Sequence, residues 1–214
     1  MSVAIIDYGS GNLHSARKAF ERAAREAGLA PEVWVTADPA AVGRATHVVL
    51  PGVGAFADCM AGLRAIPGMT EALSEAVLTR GVPFLGICVG MQLLASVGRE
   101  FGDHDGLGWI AGEVVRLSPS DPALKIPHMG WNMVARERDH PILAGIRDDN
   151  LAFYFVHSFA MRCNAPRDVV GTAQYGQQVT AVIARDNIAA TQFQPEKSQD
   201  SGIELVRNFL RWNP

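Results

Sequence analysis

The chain has 214 residues, 48% of them apolar, and a formal net charge of −3. That length is enough for one domain with a sizeable core, and no apolar run approaches the ~20 residues that a membrane span needs. The slight acidity argues against nucleic acid or an anionic membrane surface as a partner. The N-terminal MSVAIIDYGSGN lacks the basic start and long apolar stretch of a signal peptide. Three cysteines at 59, 88 and 163 show no paired spacing, which suits a reducing cytosol better than a disulfide framework. A cytoplasmic location is expected.

VAIID at 3–7 predicts a first strand ending in the loop YGSGN, and LHSARKAFERAAREAG at 13–28 has helical spacing closed by Gly28. EVWVT (32–36) and THVVL (46–50) follow as strands. Next come the loop PGVGAF, a stretch of helical character over about 56–80, and the strand VPFLG at 82–86. MQLLASVG after it predicts a helix. Repeated strand–helix–strand units predict a parallel sheet with helices on both faces. In such sheets ligands sit at the carboxyl ends of the strands, where YGSGN, PGVGAF and GICVG all fall.

The second half is strand-rich. WIAGEVVRL (109–117), LAFYFV (151–156), VVGTAQY (169–175), VTAVIAR (179–185) and IAATQF (188–193) are separated by turn signals, and Asp186-Asn187 predicts a hairpin turn. These strands are expected to be antiparallel, joining the sheet or lying beside it, with a closing helix over roughly 201–212. No repeat, low-complexity tract or linker breaks the chain. It is read as a single α/β domain, 1–214, with a mostly parallel central sheet flanked by helices and antiparallel additions in the second half.

GICVGMQ at 86–92 places Cys88 between Gly86 and Gly90 at a strand-to-helix turn. Small flanking residues permit the tight turn that lifts a nucleophile clear of the backbone, and a helix starting there favours thiolate. The alternative is a buried core cysteine after a strand. FQPEKS at 193–198 is the second constellation. Residues two apart in an extended segment project to one side, and Pro195 holds Gln194 extended, so the segment aims one group with the Glu196 carboxylate behind it. A thiol nucleophile needs a proton acceptor within reach, yet Gln194 does not titrate usefully. A strand end with a solvated Glu196 is the other reading. His157 is either a replacement base or a ligand-binding and structural residue. His128 reads as a loop or interface residue, Cys59 and Cys163 as inert thiols, and the histidines at 14, 47, 104 and 140 show no ligand spacing. The glycines of YGSGN and PGVGA fit neither dinucleotide nor P-loop spacing. No metal or cofactor is expected.

Taken together and in this order, GICVGMQ and FQPEKS resemble the class I (triad) glutamine amidotransferases, whose sheet is flavodoxin-like. IIDYGSGNLHS (5–15), LPGVGAF (50–56), IPHMGWN (126–132) and YFVHSF (154–159) are similar to one branch of that family. That branch comprises the glutaminase subunits of imidazole glycerol phosphate synthases in histidine biosynthesis, and the match runs over essentially the whole chain.

The resemblance implies that Cys88 attacks the carboxamide of glutamine, expels ammonia and forms a γ-glutamyl thioester that water hydrolyses. Backbone N–H groups at Gly52–Val53 and Val89 become the oxyanion candidates. Gln92, Gly52 and the His157, Ser158 and Phe159 backbone hold glutamine, and Glu196 orients the base. That base is a histidine in the family; this chain has Gln194 in its place. Ammonia passes to a separate barrel-shaped cyclase subunit, toward which Asn12, Trp131, Tyr154 and Lys197 face. Losing a general base costs typically ~100- to 10,000-fold, so turnover is expected to be impaired. Gln194 is near-isosteric with part of an imidazole and is expected to be able to hydrogen-bond Glu196. Two other functions fit the same residues: a non-catalytic subunit that binds and regulates an ammonia-dependent synthase, and a standalone γ-glutamyl cysteine hydrolase.

Overall fold

A computed structural model describes residues 1–214. In chain order the strands are β1 (Ser2–Ile6), β2 (Glu32–Thr36), β3 (His47–Gly52), β4 (Phe84–Cys88), β5 (Val97–Gly98), β6 (His104–Asp105) and β7 (Gly112–Arg116). Then follow β8 (His128–Arg136), β9 (Ala152–His157), β10 (Phe159–Cys163), β11 (Val169–Gln174), β12 (Gln178–Arg185) and β13 (Ile188–Thr191). The principal helices are α1 (Leu13–Glu26), α2 (Pro39–Arg44), α3 (Phe56–Ala65), α4 (Met69–Ser74), α5 (Val89–Gln92) and α6 (Gln199–Arg211).

Nine strands form one sheet in the order β2-β1-β3-β4-β13-β12-β11-β8-β9. The pairings β2–β1, β1–β3, β3–β4 and β4–β13 are parallel, and the rest are antiparallel. The parallel strands are continuous apolar runs because both faces are covered; every residue of β3 and β4 is buried. α1 presents Ala16, Ala19, Phe20, Ala23 and Ala24 inward at helical spacing. It meets α6 through an edge-on contact of Phe20 with Phe209, ring centres 6.0 Å apart. A contiguous core of 60 buried residues runs through both halves. The alternatives for the later strands are both realised, since β10-β7-β5-β6 form a second, four-stranded sheet beside the first. Asp186, at φ 52°, makes the expected hairpin turn between β12 and β13.

Three differences from the expected elements have local causes. The helix expected over MQLLASVG stops at Gln92 and turns into β5. The carbonyls of Leu93, Leu94 and Ala95 accept instead from the N–H groups of Leu107, Ile110 and Gly108. The helical stretch at 56–80 is broken at Gly68, whose φ of 78° leaves the helical region. β8 was legible only as a motif, because its outward row carries Met129, Trp131 and Met133, which are 60%, 49% and 46% exposed. Apolar residues facing out invert the alternation that marks a strand.

Candidate active site

The carboxyl ends of β3, β4 and β13 meet at Cys88. Its backbone sits at φ 56°, ψ −111°, a region that a side chain occupies only under strain and that the surrounding structure must enforce. The flanking glycines do so by close approach: a Cβ on Gly90 would lie 1.8 Å from Leu50 O, and one on Gly86 would lie 2.8 Å from Gly90 O. The elbow read from GICVGMQ is therefore present. Cys88 is only 4% exposed, yet it lines an open cleft of about 430 Å³, so it is not sealed in the core.

That cleft brings together Val53, Cys88, Val89, Gln92, His157, Ser158, Phe159, Gln194 and Lys197 from the expected set. It adds Gly54, Pro127 and Val156, which lie within the quoted motifs without having been singled out, and Glu100, which lies in none. Gly52 lies just beneath, where an added Cβ would meet Tyr8 Oη at 2.5 Å. Trp131 and Tyr154 stand edge-on outside it, ring centres 6.2 Å apart, and the Lys197 ammonium lies 5.9 Å from the centre of the Tyr154 ring. Asn12 is apart from the cleft, at the N-terminus of α1.

The electrostatics differ from the expectation of a resting thiolate. α5 is a single turn of four residues, too short for a macrodipole of consequence. Burial, with the nearby Glu196 carboxylate adding to it, pushes the Cys88 thiol up to about 12, and the Val89 N–H facing the sulfur offsets part of the rise. At neutral pH the protonated thiol is therefore the favoured form. The sulfur needs a base.

Neither imidazole nearby supplies one. His157 Nδ1–H donates to Phe159 O at 2.9 Å, so its Nε2 must accept; it does so from His128 Nδ1–H, also at 2.9 Å. His128 Nε2 then accepts from Asn132 Nδ2 at 3.2 Å. Both rings are neutral and fully engaged, and burial lowers each to about 4. No nitrogen of His157 is free for the sulfur. Its role is to hold the Phe159 carbonyl, which also accepts from Gln92 Nε2 at 2.9 Å.

Gln194 is 2% exposed, with its N–H on Tyr154 O at 3.0 Å and its carbonyl accepting from Ser198 Oγ at 2.7 Å. The expected hydrogen bond to Glu196 is absent: Gln194 Oε1 and Glu196 Oε2 are both buried without a partner. Burial raises the Glu196 carboxyl from 4.5 to about 7. Of the expected oxyanion groups, the Val89 N–H is at the sulfur, but the Val53 N–H donates to Ser10 Oγ at 2.9 Å. Ser10 Oγ donates in return to Val53 O at 2.6 Å.

Sequence reasoning missed Glu100 and Gln192. Glu100 accepts the Phe56 N–H at 2.8 Å and faces the cleft; it lies in a polar loop with no spacing to mark it. Gln192 precedes FQPEKS by one residue and is fully buried.

The sequence matches the family described as glutamine amidotransferase class-I over residues 4–212. Full-length relatives named imidazole glycerol phosphate synthase subunit HisH are 58% identical in Rhodospirillum rubrum, 57% in Rhizobium meliloti and 55% in Mesorhizobium japonicum, each covering 100% of both chains. Among solved structures, a glutamine amidotransferase superposes with a TM-score of 0.69 at 17% identity, covering 98% of this chain and 97% of that one. A glutamine amidotransferase from Thermotoga maritima gives 0.62 at 18% identity, covering 92% and 76%. A strained cysteine on the wall of an open cleft, at the end of a central strand of this sheet, agrees with the sequence match: the chain belongs to the class-I glutamine amidotransferase family and, within it, groups with the HisH subunits of imidazole glycerol phosphate synthase.

Proposed function

We propose that this chain is a glutaminase subunit that works with a cyclase subunit of imidazole glycerol phosphate synthase in the cytoplasm, and that Gln194 leaves its nucleophile without a base. The whole of 1–214 is taken as one amidotransferase unit. Cys88 Sγ adds to the side-chain carboxamide of glutamine; the C–N bond breaks, ammonia leaves, and water cleaves the resulting γ-glutamyl thioester to glutamate. Gln92 offers its oxygen to the ligand, since its Nε2 is committed to Phe159 O and Gln192 Oε1. Glu100 is the acid placed to hold the α-ammonium, and Ser158 and Phe159 line the same cleft. Oxyanion stabilisation by Val89 is at hand, while Val53 joins only when the Gly52–Val53 peptide turns away from Ser10.

The barrel-shaped cyclase docks on the face where Trp131, Tyr154 and Lys197 cluster, also reaches Asn12, and receives the ammonia. No helix is long and apolar enough to cross a membrane, and all three cysteines are free, which supports the cytosolic assignment. The observation that carries the proposal is the presentation of Cys88 in a glycine-enforced elbow on the wall of the cleft.

The absence of a hydrogen bond between Gln194 and Glu196 favours a second reading, a subunit that supports synthesis from free ammonia. One experiment separates the two. Glutaminase turnover and ammonium-dependent synthesis are measured for the cyclase complex of this chain and of Gln194→His. We expect the variant to gain ~100- to 10,000-fold in glutamine turnover, with ammonium-dependent synthesis unchanged. A folded, partner-bound Gln194→His that still fails to hydrolyse glutamine overturns the triad assignment and leaves the ammonia-dependent reading.

A further inference from the structure

Gln192 belongs to none of the motifs, and the residues around it give it a task. Resting on Cys88 as the nucleophile, we propose that Gln192 is a positioning residue whose carboxamide NH₂ holds the Cys88 sulfur and donates to it when the thiol ionises.

β13 pairs with β4 in parallel, Thr191 opposite Ile87, so the next residue, Gln192, comes alongside Cys88. Its backbone N–H is fixed on Ala181 O at 2.8 Å. Its side chain, at zero exposure, has two partners: Gln92 Nε2 at 3.1 Å from Gln192 Oε1, and Cys88 Sγ at 3.8 Å from Gln192 Nε2. Burying an amide is costly unless its polar atoms are engaged, so this placement demands an explanation in its partners.

The orientation of the amide follows from its neighbours. Phe159 O only accepts, so the Gln92 atom facing it is the nitrogen, and that nitrogen also faces Gln192. The Gln192 atom turned to Gln92 must therefore be oxygen, which leaves NH₂ toward the sulfur. The same carbonyl fixes His157, and through it His128 and Asn132. Every donor in the chain from Asn132 to Gln192 is thereby assigned. In the neutral thiol, S–H points to Val156 O at 3.9 Å while the sulfur accepts from Gln192. Once the proton leaves, the Val156 carbonyl opposes the anion and Gln192 is the side-chain donor that remains.

The test is the pH–rate profile of Cys88 alkylation by iodoacetamide in the full chain, read by mass spectrometry on the Cys88 peptide. Gln192→Met keeps the bulk and removes the donor. We expect its rate at fixed pH to fall roughly 10-fold, with the profile displaced to higher pH, the usual size for a hydrogen bond to a charged group. Gln192→Glu keeps the shape and the acceptor for Gln92 but turns a carboxylate toward the sulfur, so its loss is at least as large. Below the titration of the thiol a displaced profile and a scaled rate coincide, so the order of the two variants decides. A merely structural role leaves Gln192→Glu, which keeps the shape, at the parent rate and above Gln192→Met, whereas the donor role puts it at or below Gln192→Met. A folded Gln192→Glu with the parent profile overturns the assignment, even if Gln192→Met does not fold. If Cys88 of the parent takes no label at any pH while Cys163 does, the nucleophile reading itself falls, and this assignment with it.

Discussion

The wall of the cleft built by β3, β4 and the turn into α5 differs from the wall built by residues 192–198. On the first, small residues are demanded by close contacts: Gly90 against Leu50 O, Gly52 against Tyr8 Oη, Gly86 against Gly90 O. Tyr8 Oη is itself tied to Pro51 O at 2.7 Å. On the second, the backbone is equally well held, with Ser198 Oγ on Gln194 O and on the Tyr154 N–H, but two buried side-chain oxygens face nothing. The scaffold that would aim a base is intact, and the group it aims does not accept a proton. The difference therefore lies in one functional group and not in the fold. That is why Gln194→His is expected to have the largest effect, a gain of ~100- to 10,000-fold in turnover.

The opposite wall is broken by addition instead of repair. Gly90→Ala places a methyl 1.8 Å from Leu50 O, a backbone atom in the middle of the sheet that has nowhere to go. The expected cost is about 3 kcal/mol or more, at the upper end of overpacking changes. A chain of this size then loses several degrees in thermal midpoint for each such kcal/mol. Calorimetry of the variant beside the parent checks it. A thermal midpoint within one or two degrees of the parent shows that the elbow relaxes easily and that the strain at Cys88 is not enforced.

The same contrast explains what was legible in the sequence. The parallel half could be read from its strands, because buried runs such as VAII and FLGIC bound the glycine loops directly. Cys88 and its cradle followed, since steric need leaves glycines at fixed positions. The helix after Cys88 was overread: LLA looks helical, and only the distant segment 106–110 takes its carbonyls away. β8 was missed as a strand because its apolar row faces outward. Glu100 and Gln192 were missed because their roles depend on contacts across about 44 and 104 positions of chain, Glu100 with Phe56 and Gln192 with Cys88. The Ser10 grip on Val53 spans 43 and was equally invisible.

Glu196 offers a way to sharpen the picture of the unfinished wall. Burial raises its carboxyl from 4.5 to about 7, so the folded chain holds this proton more tightly than the unfolded chain does. The stabilising contribution is complete below pH 4.5 and is lost as pH rises to about 7. His47, His128, His140 and His157, each lowered from 6.5 to about 4 by burial, act the other way, their contribution lost as pH falls through that interval. Parent and Glu196→Gln share the histidines, so the difference between their stabilities isolates the carboxyl. Denaturant titrations from pH 4.5 to 7 are expected to show the variant gaining steadily on the parent. A flat difference means that the carboxyl is already ionised at acid pH and has found a donor.

The smallest expected effect lies in the loop that follows β3 on the first wall. Ser10 Oγ accepts the Val53 N–H and donates to Val53 O, while Cys59 Sγ donates to the same carbonyl at 3.3 Å. The peptide that would face an oxyanion is thus held from behind by a hydroxyl, with a thiol as a weaker second partner. Ser10→Ala removes the acceptor but leaves Cys59, so the loop keeps its anchor through Val53 O and the N–H is released. The cost in stability is about 1 kcal/mol, the usual net worth of one hydrogen bond. In a Gln194→His background, where a base is present, glutamine turnover without the cyclase subunit should rise several-fold, because a free donor stabilises charge that develops only in the transition state. The rise belongs in kcat and not in KM, since the ground-state carboxamide gains little from it. Steady-state kinetics of the double variant against Gln194→His alone decide the matter: an unchanged or lower kcat means that the Val53 N–H does not serve the reaction, and that Val89 carries the oxyanion with some other donor.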